Sequence, residues 1–243
     1  MRSTLRHALI CIALAAPGVA MAENIIRDIL PRPSDCVARM TVQRHGCSVL
    51  TILQCGAGDK EFWRTEAFNS DGLDYVEHGS RDGSISIHAD ASGRGGFFSD
   101  PSASRSTPFA KIAASGSGSS LTVGTFDVFG AQKPMTIAAE LSRLDPPLTL
   151  DGVTLTRIAG NAVVTMPQPM PQVTIKNVLY FDPVSGAAFE GESEASWPPP
   201  DGDEQPTPAA IILPGEPGFD EPHPTYDCGN LSFNHPDIKA DQA

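Results

Sequence analysis

The sequence predicts an all-β protein. The expected form is a sandwich or barrel-like antiparallel β domain, with a short N-terminal helix and a proline-rich C-terminal strap held by a disulfide. Three observations carry that prediction. Short runs rich in β-branched and aromatic residues recur along most of the chain, with turn residues between them. Turn formers are abundant, with 22 Gly and 22 Pro among 243 residues. Four cysteines, Cys36, Cys47, Cys55 and Cys228, remain once a leader is set aside, an even number that suits two disulfides.

Residues 1–22 read as that leader, a signal peptide. Arg2 and Arg6 precede an apolar run at 8–16, and Ala20 and Ala22 put small residues before a cleavage point at Glu23. The run is too short to cross a bilayer as a helix, which takes about 20 residues, so no transmembrane segment is expected after processing. An exported protein, periplasmic or extracellular, follows, in a compartment where disulfides persist. The remainder divides into a β-rich domain, 23–190, and an acidic, proline-rich segment, 191–243, tethered through Cys228.

Taken in order, Ile25, Ile26, Ile29 and Leu30 sit at helical spacing and Pro31 stops them. Strands at 36–44 and 47–55 flank His45-Gly46, a two-residue turn that sets Arg44 opposite Cys47 and Cys36 opposite Cys55. Along one strand Cys47 and Cys55 lie too far apart to bridge. The expected pairing is therefore Cys36–Cys55 with Cys47–Cys228. A helix over 35–45 would instead favour Cys36–Cys47 with Cys55–Cys228.

Further strands are expected at 62–68, 73–78, 84–89, 121–129, 135–141, 148–157, 162–166, 173–181 and 187–190. Asp82-Gly83, Asp151-Gly152, Gly160-Asn161 and residues 182–186 supply punctuation. The composition of 135–141 also suits a short helix. Residues 91–120 contain nine serines and no sustained periodicity, which reads as a long flexible loop. Residues 192–226 contain nine prolines and read as an extended strap, with 209–213 as its docking point.

The net charge of −12 belongs to the tail: residues 182–243 hold thirteen acids against Lys239 alone. Such a surface repels nucleic acid and anionic lipid and admits cations and basic surfaces, so no nucleic-acid partner is expected.

One compact group of titratable residues stands out. With Asp82-Gly83 as a hairpin turn, Glu77 faces His88 and Tyr75 faces Asp90. Tyr75, Glu77, Ser86, His88 and Asp90 then share one polar face, opposite Val76, His78, Ile85, Ile87 and Ala89. A Glu–His pair can poise an imidazole near neutral pH or offer two ligands to a metal. A solvent-facing cross-strand pair is the plainer account. A metal site using His223 or His235 with Asp227 or Asp237 is a weaker candidate. No nucleophile elbow, Ser-x-x-Lys, His-Glu-x-x-His, phosphate loop or dinucleotide fingerprint occurs, so neither a catalytic set nor a cofactor is indicated.

The function expected is an exported, non-catalytic envelope or binding protein that presents a β surface or cavity to a lipid, glycan or protein partner. One alternative is a hydrolase or metal-dependent enzyme with its site near Glu77 and His88. The other is a structural or assembly protein using the acidic proline-rich arm.

Overall fold

Strand follows strand by the shortest route, so sequence neighbours become sheet neighbours. A computed structural model describes residues 26, 28–80, 84–93, 95–128, 131–196 and 206–229. The leader 1–22, the Asp82-Gly83 turn, and His235 and Asp237 lie outside them. The strands are β1 (Val37–Arg44), β2 (Ser48–Cys55), β3 (Phe62–Asn69), β4 (Gly72–Ser80), β5 (Ile85–Asp90), β6 (Gly95–Ser99) and β7 (Arg105–Ser106). The helix α1 (Phe109–Ser115) follows. Then come β8 (Ser117–Val128), β9 (Ala131–Leu150), β10 (Val153–Thr165), β11 (Val173–Phe181), β12 (Ala188–Ala195) and β13 (Pro208–Ile212). No helix among the described residues is long and apolar enough to cross a membrane.

All these strands join one antiparallel sheet, nearly closed into a barrel. From β1 to β12 the chain meanders, with β6 passing directly to β8 and β7 pairing to the side. The tail then returns to lay β13 beside β1. Partners in an antiparallel pair share a face. One row of inward side chains can therefore be followed from Met40 to Ile52, Thr65, Glu77, His88, Phe97 and Phe126.

Near β1 and β2 the interior is filled. Met40, Val42, Leu50, Ile52, Trp63, Leu155, Phe189 and Ile211 pack in one cluster. The edge strands β12 and β13 send Phe189 and Ile211 into this cluster. Asp151, in the β9–β10 turn, accepts a hydrogen bond from the Ile211 N–H at 2.8 Å. Asp151 and Gly152 hold φ of 48° and 81°, the positive values a tight two-residue hairpin turn requires.

Both disulfides are Cys36–Cys55 and Cys47–Cys228. The first hairpin nevertheless differs from its expected register. Its turn holds three residues, His45 to Cys47, with Gly46 and Cys47 at φ 75° and 55°, so Arg44 faces Ser48. A bulge between Ala38 and Met40 takes up the extra residue and restores Ala38 opposite Leu53. Cys36 thereby reaches Cys55 after all, and Cys47 is turned out towards the tail. There its N–H donates to Tyr226 O at 3.0 Å.

Other expectations change. Residues 91–120, expected as a loop, carry β6, β7, α1 and the start of β8. Residues 135–141 are strand, within β9, and Gly160-Asn161 lies inside β10 instead of at a turn. Gly160 is glycine for space: a Cβ there would collide with Asn177 Oδ1. The boundary after residue 190 falls inside β12. The strap docks well beyond 209–213. Gln43 donates to His223 O and accepts from the Thr225 N–H, and Thr41 Oγ1 accepts from the Asp220 N–H.

Candidate functional site

The inward row changes character halfway round the barrel. Beyond the packed cluster the lumen opens into a cavity of about 410 Å³. Its walls are mainly apolar, with Trp63, Phe97, Phe109, Phe126, Met135, Ile137, Leu141, Ile175 and Leu179 among the lining residues. Both ring and aliphatic groups reach it because β3, β6, β8, β9 and β11 turn alternate residues inward. Small side chains, Ala139, Ala162 and Ala188, keep the centre empty.

Into this apolar space project Glu77 from β4, His88 from β5, and Asn177, Glu190 and Ser193 from β11 and β12. Glu77 and His88 are direct cross-strand partners, and the imidazole Nδ1 lies 2.9 Å from Glu77 Oε1. With its proton on Nδ1, His88 donates to the carboxylate. Its side chain keeps 39% of its surface accessible. His88 is among the residues that line the cavity, and desolvation is the largest influence on its pKa. Burial works against the charged ring. The Glu77 hydrogen bond and charge, aided by Glu190 and Asp90, outweigh it and raise the His88 pKa.

Glu190 sits deeper. Burial raises its pKa first, and repulsion from Glu77 adds to that. Hydrogen bonds from Asn177 (Nδ2 to Oε1, 3.0 Å) and Ser193, with the His88 charge, oppose the rise without cancelling it.

Of the residues singled out from sequence, Glu77 and His88 are together in the lumen. Tyr75 stacks beside His88, ring centroids 5.1 Å apart, and packs against the filled cluster. Asp90 is opposite Tyr75 in register, but its carboxylate turns to the β5–β6 connection, where Oδ1 accepts from the Ser92 N–H at 2.6 Å. The polar face expected to meet solvent is therefore an interior one. Val76 and Ala89, on the other face, are fully buried. Glu190, Asn177 and Ser193 were not anticipated. Their approach depends on the sheet curling β12 round towards β4, which no local pattern encodes.

His223 and Asp227 do not form a pair: Asp227 Oδ2 takes the His45 ring nitrogen at 2.6 Å, and His223 offers its backbone carbonyl to Gln43. Among the described residues no group of three or more His, Cys, Asp or Glu is arranged to hold a metal ion.

A second polar cluster occupies the outer face of β3 and β4. Arg64, with none of its side chain accessible, donates from Nε to Glu66 Oε1 at 2.7 Å. It also donates to the carbonyls of Ile29 and Leu30, both at 2.7 Å, and to His78 Nε2 at 3.2 Å. Burial first, and Arg64 second, lower the His78 pKa to about 4. Arg32 joins Glu66 to Asp220 of the strap.

Comparison with known proteins finds no match among family descriptions, curated proteins or solved structures.

Proposed function

We propose that this is an exported binding protein that holds a small, largely apolar molecule in the lumen of its barrel. The observation that carries the proposal is the cavity itself. A void of about 410 Å³ with apolar walls is within the usual range for small-molecule sites. It persists beside a cluster packed to exclusion at the other end of the same lumen. A few convergent polar groups, Glu77, His88, Asn177 and Glu190, complete the pattern of an oriented ligand. The two disulfides suit work outside the cytoplasm.

Binding of the neutral fluorophore N-phenyl-1-naphthylamine tests this. The full-length processed chain should bind one probe per molecule with a blue-shifted emission. Ala162→Phe, which places a ring in the void, should abolish binding while near-ultraviolet circular dichroism stays native. Absence of probe binding, or binding that survives the filled lumen, would refute the assignment.

A further inference from the structure

We propose that the molecule held in the lumen carries a positively charged nitrogen, seated between Glu77 and Glu190. This rests on the lumen being a binding site. The described lining residues include two carboxylates and one histidine, and no lysine or arginine. An anionic head would meet two acids in a medium of low dielectric, where like charges repel far more strongly than in water.

The acids are also placed at a cost. Glu77 and Glu190 lie on strands separated by more than half the barrel circuit, yet the curl of the sheet brings them within electrostatic reach. Protonated His88 balances one charge, that of Glu77, through the 2.9 Å hydrogen bond. Glu190 has only neutral donors, Asn177 and Ser193. Neutral donors orient a carboxylate but leave its charge, so Glu190, when ionised, carries a negative charge that they do not balance in an apolar cavity.

The remaining charged and titratable neighbours do not supply the balance. Asp90 adds negative charge near His88, and Tyr75 is held neutral by burial and by Glu77. Arg44 hydrogen-bonds Tyr75 and donates to Ser48 Oγ, while the charges felt most at Glu190 are Glu77 and His88. A ligand cation is the missing partner. Trp63 and Phe97, in the same lining, add ring faces that attract a cation and cover an alkyl tail.

Competition among decylamine, decanol and decanoate for the bound fluorophore tests the proposal, because the three share a tail and differ in charge. Decylamine should displace the probe at least about tenfold more tightly than decanol, a difference of about 1.4 kcal/mol, with decanoate weakest. Glu190→Gln should bring decylamine and decanol to within about twofold and leave decanol unchanged. Decylamine affinity should rise with pH, as Glu190 ionises and His88 loses its proton. Equal binding of decylamine and decanol would overturn the charge assignment while sparing the lumen site. So would an amine preference that persists in Glu190→Gln, since attraction to the acidic surface would then explain it. Failure of all three to displace the bound probe would also overturn the charge assignment, whereas absence of probe binding would overturn the lumen site itself.

Discussion

On the outer face of β3 and β4, Arg64 spends its donors on Glu66, two backbone carbonyls and His78. On the inner face of β4 and β5, Glu77 and His88 have each other and a void. The two clusters share β4, where His78 and Glu77, as neighbours in a strand, take opposite faces. Their difference lies in what covers them. The N-terminal turn around Ile26 to Leu30 lies on the outer cluster, and Arg32 ties that turn to the strap through Asp220. Nothing described fills the space before the inner one. A saturated cluster holds a fold together, whereas one with unbalanced charge and open space beside it is where a ligand can act.

Removing Arg64 gives the largest expected effect. Arg64→Met removes one of the two guanidinium partners of the buried Glu66 carboxylate, leaving Arg32, and unpairs the carbonyls of Ile29 and Leu30, at a cost of about 3–5 kcal/mol. Urea unfolding should show it as a lower midpoint with an unchanged slope. Probe affinity of the folded fraction should not move. A binding defect without loss of stability would erase the distinction between the clusters.

Gly160→Ala reaches the inner cluster from behind. The added methyl collides with Asn177 Oδ1, and Asn177 must give up Glu190 or the strands must shift. Overpacking of this kind costs roughly 1–3 kcal/mol. The decylamine preference should change together with stability, which is the pattern that Arg64→Met lacks.

How far these clusters were legible in the sequence follows from the range of the interactions involved. Glu77 opposite His88 depends on one short hairpin and on the two-residue period of a strand, so it could be read locally. The cysteine pairing was legible for a similar reason, although its strand pair needed a bulge at Arg39 to make up for a longer turn. Glu190 was not legible, because its position comes from the accumulated curl of the sheet between β4 and β12. Residues 91–120 misled through their glycines and serines. At Gly118 a Cβ would run into Ile112 Cγ1 and Thr107 Cβ, so smallness there reports close packing and not a flexible loop. The closed state of the outer cluster was hidden too: the sequence does not say that Arg64 points at the carbonyls of residues 29 and 30.

Titration separates the faces by sign. His78 has its folded pKa lowered to about 4, below its unfolded value near 6.5. As pH falls from about 6.5 to about 4, the unfolded chain takes up this proton first, so stability declines across that window. Discounted for partial exposure, the loss is roughly 1–2 kcal/mol. His78→Asn should flatten the decline, measured as urea midpoints at successive pH values. If the decline is unaltered, another group on the outer face carries it.

Glu190 moves the opposite way and should have the smallest effect. Its folded pKa is raised, so the folded protein holds this proton better than the unfolded chain does. Above that pKa the buried carboxylate costs stability, and below the unfolded value, near 4.3, the cost is gone. Glu190→Gln keeps the size and the hydrogen bond from Asn177 while removing the charge. It should therefore stabilise the empty protein by roughly 0.5–2 kcal/mol at pH 8, the usual scale of a functional residue's cost. The gain should shrink towards zero as the pH falls to 4. A Gln variant less stable than the parent at pH 8 would mean the carboxylate is already balanced within the protein, and the inner cluster would then be as complete as the outer one.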